Sequence, residues 1–225
     1  MPTRPAAILT DIEGTTTPIA FVRDELFPYA RARLETFLQT HAADPGVASL
    51  LADAHRLAGG RPVLEALHAW MDADEKITPL KALQGLIWDE GYASGELQGR
   101  IYPDVPPALR RWRAQGIRLY VYSSGSEAAQ RLIFGHSDAG DLTSLFTAFF
   151  DTRAGAKRDP ESYKRIARAI GLPPLEVLFL SDIEAELDAA AEIGMGVCQL
   201  IRPMDRTVAG TRHPTAGDFG AVRVG

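Results

Sequence analysis

The run Ala6-Ala7-Ile8-Leu9-Thr10-Asp11-Ile12-Glu13-Gly14-Thr15-Thr16 decides how the rest of the chain is read. Residues 6–10 are apolar or β-branched and bounded by polar ones, the mark of a short buried strand. The strand leads straight into Asp11. Side chains of an extended segment alternate with period two, so Asp11 and Glu13 point the same way. Two carboxylates aimed into one cleft repel each other unless a cation or a shared proton compensates. Mg²⁺, which takes oxygen ligands, is the ordinary solution. Gly14 frees the backbone to turn sharply after the pair.

Working outward, four more runs of the same kind occur at 117–122, 147–150, 177–180 and 196–201. Helical patterns separate them. One begins near Asp104, carries Pro106 and Pro107 in its first turn and stops at Gly116. Another begins at Asp159-Pro160, sets Tyr163, Ile166, Ala167 and Ile170 on one face and stops at Gly171. A third runs from about Glu184 to Ile193. Asp as N-cap, Pro in the first turn and Gly after the last are the expected punctuation. Strands alternating with helices predict an α/β fold, a doubly wound and mostly parallel sheet with right-handed crossovers. Residues 19–99 differ, with helical segments at 21–38, 47–58, 63–71 and 79–92 and turns at Asp44-Pro45-Gly46 and Gly59-Gly60-Arg61-Pro62. They read as a helical domain inserted into a core formed by 1–18 and 100–225. After Arg202 no period is clear, apart from a short edge strand near the end.

In open α/β sheets ligands bind outside the carboxyl ends of the strands. The residues standing there are Asp11, Ser123 with Ser124, Asp151, Asp182 and Arg202. Hydroxyls and free amides in Ser123-Ser124-Gly125-Ser126, where a strand feeds a helix, make a cradle for phosphate. Lys157, just before a capped helix, can place a point charge on a phosphate. Asp182 can complete a metal site. Glu186 follows one helical turn later, placed to support a ligand or to cap the helix start. His136 reads as a loop residue, His213 as solvated, Cys198 as inert core, the tryptophans as packing, and Arg110, Arg111 and Arg113 as the wet face of a helix.

The formal net charge of −5 over 225 residues argues against a nucleic-acid binder or a polybasic membrane anchor. The single cysteine rules out an intramolecular disulfide and a cysteine-based zinc cluster. No apolar run approaches the roughly 18 residues of a membrane span, and the first ten residues are cut short by Asp11 and Glu13 as a secretory apolar segment. A cytoplasmic, monomeric enzyme with no membrane partner is expected.

The order Asp-x-Glu-Gly-Thr, Ser at a strand end, Lys, then Asp at a strand end resembles the haloacid dehalogenase-like phosphatases, with Glu13 where most carry a second Asp. The longer string through Thr17-Pro18-Ile19, with Phe21-Val22 and Leu26-Phe27-Pro28-Tyr29, is similar to the enolase-phosphatases of methionine salvage, also called acireductone synthases. Leu83-Gln84-Gly85, Phe134-Gly135-His136-Ser137, Glu161-Ser162-Tyr163 and Phe179-Leu180-Ser181-Asp182 agree. Ala156 departs from a histidine expected before the lysine, and nothing after Pro203 matches. The resemblance implies enolisation of 2,3-diketo-5-methylthiopentyl-1-phosphate followed by dephosphorylation to an acireductone. It implies one Mg²⁺ per chain at Asp11, Glu13 and Asp182, with Ser123, Ser124 and Lys157 on the substrate. Asp11 is then the nucleophile and Glu13 the general acid and base, with its backbone carbonyl facing the metal. The helical insertion becomes a lid. A generic phosphomonoesterase and a phospho-accepting signalling receiver are the rival readings. The first lacks the Thr-Thr-Thr-Pro-Ile extension, and the second is near half this length with its acceptor off the first strand.

Overall fold

The computed structural model describes residues 4–224, so the outermost residues of the expected core segments, 1–3 and 225, lie outside it. In chain order the elements are β1 (Ala7–Thr10), then helices α1 (Phe27–Thr40), α2 (Pro45–Leu57), α3 (Val63–Asp72) and α4 (Thr78–Ala93). There follow α5 (Val105–Ala114), β2 (Arg118–Tyr122), α6 (Glu127–Gly135), β3 (Ala148–Phe150) and α7 (Pro160–Ile170). The chain closes with β4 (Val177–Ser181), α8 (Glu184–Glu192), β5 (Gly196–Leu200) and β6 (Thr215–Ala216). It divides into two compact units, Met1–Phe21 with Gln98–Gly225, and Val22–Leu97.

The first unit carries a six-stranded sheet in the order β3-β2-β1-β4-β5-β6, and each pairing is parallel. Parallel neighbours require crossovers, which the intervening helices provide. Ala7 and Leu9 of β1, Tyr120 and Tyr122 of β2 and Phe179 of β4 pack with Tyr163, Ile166 and Ala167 of α7 and Leu187 of α8. Ile8, of opposite parity, is also fully buried. A sheet covered on both faces explains why these strands read as unbroken apolar runs. Burying each large side chain here is worth about 1.5–3 kcal/mol.

The strands lie within a residue or two of where the sequence puts them. Three details differ. The expected helix at 21–38 begins as a wider π turn, Phe21–Leu26, and becomes α-helical at Phe27. Pro28 explains the break, since it lacks an N–H and its ring clashes with the carbonyl four residues back. The sequence sets no limits for α6, which starts where Ser126 Oγ accepts from Ala129 N at 3.3 Å. The tail is more ordered than its composition suggests: β6 adds to β5, and residues 202–219 are tied back into the sheet-bearing unit.

The helical unit has its own local logic. Asp44 caps α2, accepting from Gly46 N at 2.7 Å and Val47 N at 3.0 Å, and Pro45 needs no N–H partner there. Trp88 of α4 buries its ring and donates to the Leu26 carbonyl at 2.9 Å. Gly91 lies where a Cβ would overlap Tyr29 and Leu97.

Arg202 ties the tail down. It is 4% exposed and stacks 4.0 Å from the Tyr102 ring centroid. Its Nη1 donates to both Asp104 oxygens at 2.9 and 3.0 Å, and its Nη2 to the Thr15 carbonyl at 2.7 Å. Asp104 also accepts from Phe219 N at 2.8 Å, and Asp205 accepts from Ile19 N at 3.1 Å and from the Tyr102 hydroxyl. Losing one member of a buried ion pair typically costs 3–5 kcal/mol, because the partner is left uncompensated. Arg202→Met is therefore expected to lower unfolding free energy by about 3 kcal/mol, read by urea denaturation. A loss within ~0.5 kcal/mol, typical of a surface change, would contradict this placement.

Candidate active site

β1 is central, with β2 on one side and β4 on the other. Asp11, Ser123 and Asp182, which follow these strands, therefore emerge side by side, where strand order reverses. A cavity of about 460 Å³ opens there, lined by Asp11, Glu13, Ser123, Ser124, Lys157, Asp182 and Glu186, with Ile19, Arg158 and Ile183 among its other walls. The six residues singled out in the sequence for catalysis, substrate or metal, and Glu186 as their support, thus share one cavity.

The loop after β1 is built by its own residues. Ile12 turns into the core, 2% exposed, while Asp11 and Glu13 on either side face the cavity. The Ile12 carbonyl accepts from the amides of Thr15, Thr16 and Thr17 at 3.1, 2.9 and 2.9 Å, closing a tight turn. Ile12 N donates to Asp11 Oδ1 at 2.7 Å and Thr16 Oγ1 to the Asp11 carbonyl at 3.2 Å. Thr15 Oγ1 accepts from Asp182 N at 3.1 Å, so the first loop fixes the fourth. Gly14 has φ +66°, and a Cβ there would overlap the Asp182 carboxylate.

Charge is concentrated around one lysine. Lys157 Nζ lies 2.7 Å from Asp11 Oδ1 and 2.6 Å from Glu186 Oε2. Glu186 also accepts from Ser181 Oγ at 2.9 Å, so its role as a support is visible in the contacts. Burial alone would favour neutral Lys157, but the Asp11 and Glu186 carboxylates outweigh it and hold its pKa above the ordinary value. Burial, then the charges of Asp11 and Glu186, push Asp182 up to about 7. Glu186 is raised by burial and by Asp11, against the opposing pull of Lys157.

One ammonium does not balance three buried carboxylates, and a hard divalent cation would. Among the described residues no three His, Cys, Asp or Glu side chains converge as a closed metal cluster. Mg²⁺ takes oxygen ligands and is usually held by one or two carboxylates together with waters and substrate phosphate oxygens. The donor set of Asp11 and Asp182 fits it.

Other sequence candidates fall elsewhere. Asp151 is kept below the ordinary carboxylate range, its burial outweighed by hydrogen bonds from Arg153, and it receives Glu127 N of α6 at 3.3 Å. It organises a helix start. His213 is not solvated: its Nε2 lies 2.8 Å from Asp188 Oδ1 and its side chain is 13% exposed. His136 caps the C-terminus of α6, and Cys198 is buried. The sequence reading missed Thr15 and Gln199. Gln199 Nε2 donates to the Asp182 carbonyl at 2.8 Å and to the Val208 carbonyl at 3.1 Å, while its Oε1 accepts from Gly210 N at 2.7 Å. The one available signal was an amide inside an otherwise apolar strand.

Gly14→Ala combines a disfavoured φ with the overlap at Asp182. It is expected to lower kcat/KM by about 10²-fold, as a 1 Å misplacement can, with a native circular dichroism spectrum. Activity within twofold of wild type would show that the loop absorbs the methyl group elsewhere.

The haloacid dehalogenase-like hydrolase family matches residues 5–194. Enolase-phosphatase E1 of Gluconacetobacter diazotrophicus is 60% identical over 93% of this chain and 89% of its own. Enolase-phosphatase E1 of Acidiphilium cryptum is 55% identical over 99% and 96%. Among solved structures, UTR4 protein from Saccharomyces cerevisiae superposes with a TM-score of 0.84 at 33% identity, covering 97% of this chain and 100% of that one.

Proposed function

Because the chain belongs to the haloacid dehalogenase-like hydrolases, and among them to the enolase-phosphatases, we propose that it converts 2,3-diketo-5-methylthiopentyl-1-phosphate to 1,2-dihydroxy-3-keto-5-methylthiopentene, the acireductone of methionine salvage, plus phosphate. The observation that carries this reading is the buried Asp11 carboxylate at the end of the central strand, 2.7 Å from a lysine that Glu186 holds in place. That is a nucleophile facing an anionic group with its repulsion offset. Ser123, Ser124 and Lys157 bind the phosphate, which fixes the substrate both for loss of a carbon-bound proton and for attack at phosphorus.

In the phosphatase step an Asp11 carboxylate oxygen bonds to phosphorus as the ester P–O bond breaks, giving an aspartyl-phosphate. Glu13, on the same side of the loop, gives its proton to the departing oxygen. It then takes a proton from the water that attacks the acyl phosphate, which releases phosphate and restores Asp11. Lys157 offsets charge on the transferring group. Mg²⁺, one per chain, held by the Asp11 and Asp182 carboxylates and the main-chain carbonyl of Glu13, would add charge neutralisation at the phosphate and polarise a substrate carbonyl. The residues named as lining the cavity all belong to the sheet-bearing unit. The helical unit accordingly takes no part in bond-breaking in this reading. No helix among the described residues is long and apolar enough to cross a membrane. The working form is a cytoplasmic monomer acting on a small phosphorylated metabolite.

Asp11→Asn should cut phosphate release by at least about 10³-fold while leaving the fold intact. More than about a tenth of wild-type turnover would remove Asp11 from the nucleophile's role. EDTA should silence the enzyme and Mg²⁺ restore it, whereas Ca²⁺, which prefers more ligands at longer distances, should restore it poorly. Glu13→Gln should slow phosphate release by about 10²–10⁴-fold and enolisation less. An enol phosphate would then accumulate, visible by ³¹P NMR. Equal loss of both steps together with weaker Mg²⁺ binding would make the Glu13 side chain a ligand first.

A further inference from the structure

We infer that Tyr163 is a positioning residue whose hydroxyl fixes the main chain at Lys157, so that the ammonium falls between Asp11 and Glu186. The inference rests on reading Lys157 as the cation that meets the substrate phosphate.

Lys157 has a problem of reach. It lies on the loop leaving β3, and β2 stands between β3 and the central β1. Strands are spaced about 4.8 Å apart, so the loop must return across roughly 10 Å to bring its side chain to Asp11. The loop has no strand or helix of its own to hold it there.

What holds it is a set of hydrogen bonds, three of them from side chains outside the loop. Four consecutive carbonyls each accept a hydrogen bond: Ala154 from Arg165 Nε at 2.6 Å, Gly155 from the Tyr122 hydroxyl at 3.0 Å, Ala156 from Asp159 N at 3.0 Å, and Lys157 from the Tyr163 hydroxyl at 2.7 Å. Gly155, at φ +124°, lies so close to Ser162 and Arg165 that a Cβ would overlap both side chains. The first turns of α7 thus form the bed on which the loop lies, which gives Glu161-Ser162-Tyr163 a physical role.

Tyr163 is suited to this. It is fully buried, edge-on to Tyr122 at 5.5 Å between centroids and 5.1 Å from Phe179. Its ring is therefore placed by core packing, independent of the hydroxyl. Burial first, and then the negative charge of Glu186, push its pKa above the ordinary value, so the group stays a donor. Tyr163 touches the carbonyl of Lys157, not the reacting atoms, and so acts through the lysine.

A double-mutant cycle tests this in the full-length enzyme, with Tyr163→Phe, Lys157→Ala and the pair. Two quantities are measured: kcat/KM for the diketo phosphate, and affinity for inorganic phosphate by calorimetry, which needs no turnover. Tyr163→Phe should lower both about tenfold in the wild-type background and less than twofold when Lys157 is already alanine, since groups acting as a unit are non-additive. Ile166→Val, on the same face of α7, controls for lost stability and should leave both quantities unchanged. A Tyr163→Phe effect that is equal in the two backgrounds, absent in wild type, or matched by Ile166→Val overturns the inference. If Lys157→Ala alone leaves both quantities at wild-type values, the catalytic reading of Lys157 fails instead.

Discussion

The structure depends on one electrostatic constraint: three carboxylates, Asp11, Asp182 and Glu186, buried around the single ammonium of Lys157. Such a cluster is poor for stability, since charges withdrawn from water recover the cost only with good geometry and further hydrogen bonds. Each neighbouring feature supplies some of that geometry. Ile12 N and Ser181 Oγ donate to carboxylates of the cluster, and Thr15 and Gln199 fix the backbone of Asp182. The excess of negative charge around Lys157 is what a hard divalent cation would offset.

The sheet explains why this cluster forms. A central parallel strand with neighbours on both sides delivers three chain segments to one edge, all with their carboxyl ends facing the same way. The covering helices supply the apolar area, and the strand ends are free to carry polar groups. A haloacid dehalogenase-like hydrolase can thus keep a conventional α/β core while its chemistry sits on loops that the core holds in place.

How much of this is legible in the sequence depends on the range of each contact. Asp11, Ser123 and Asp182 are readable because a strand end is a local signal and the fold rule converts strand ends into a site. Lys157 and Glu186 are readable as residue types at helix starts, although their mutual contact at 2.6 Å is not. Arg202 reads only as a strand-end arginine, because its acceptor, the Thr15 carbonyl, is 187 residues away and carries no sequence mark. Gln199 and the His213–Asp188 pair are hidden for the same reason, and the Tyr163 hydroxyl, only six residues from the Lys157 carbonyl, because the folding of a loop back onto its own helix carries no sequence mark. The capping role of Asp151 is hidden because its donor, the Glu127 amide at the start of α6, lies 24 residues earlier in the chain. In each case the missing information is which group an ordinary side chain will meet once the chain has folded.

The attachment of the tail to the first loop also orders events during synthesis. The Val22–Leu97 unit is contiguous, and its partners are complete soon after it leaves the ribosome. β1, made earlier, waits for β2 to begin pairing and for β4 to complete it. The Thr15 carbonyl stays without its arginine until residue 202 has been translated, and Asp104 without its Phe219 amide until later still. Long-range parallel pairing of this kind is intrinsically slow. A nascent chain therefore carries Asp11 almost from the start, but the loop that follows it gains its last ties, from Arg202 to the Thr15 carbonyl and from Phe219 to Asp104, only near the end of synthesis.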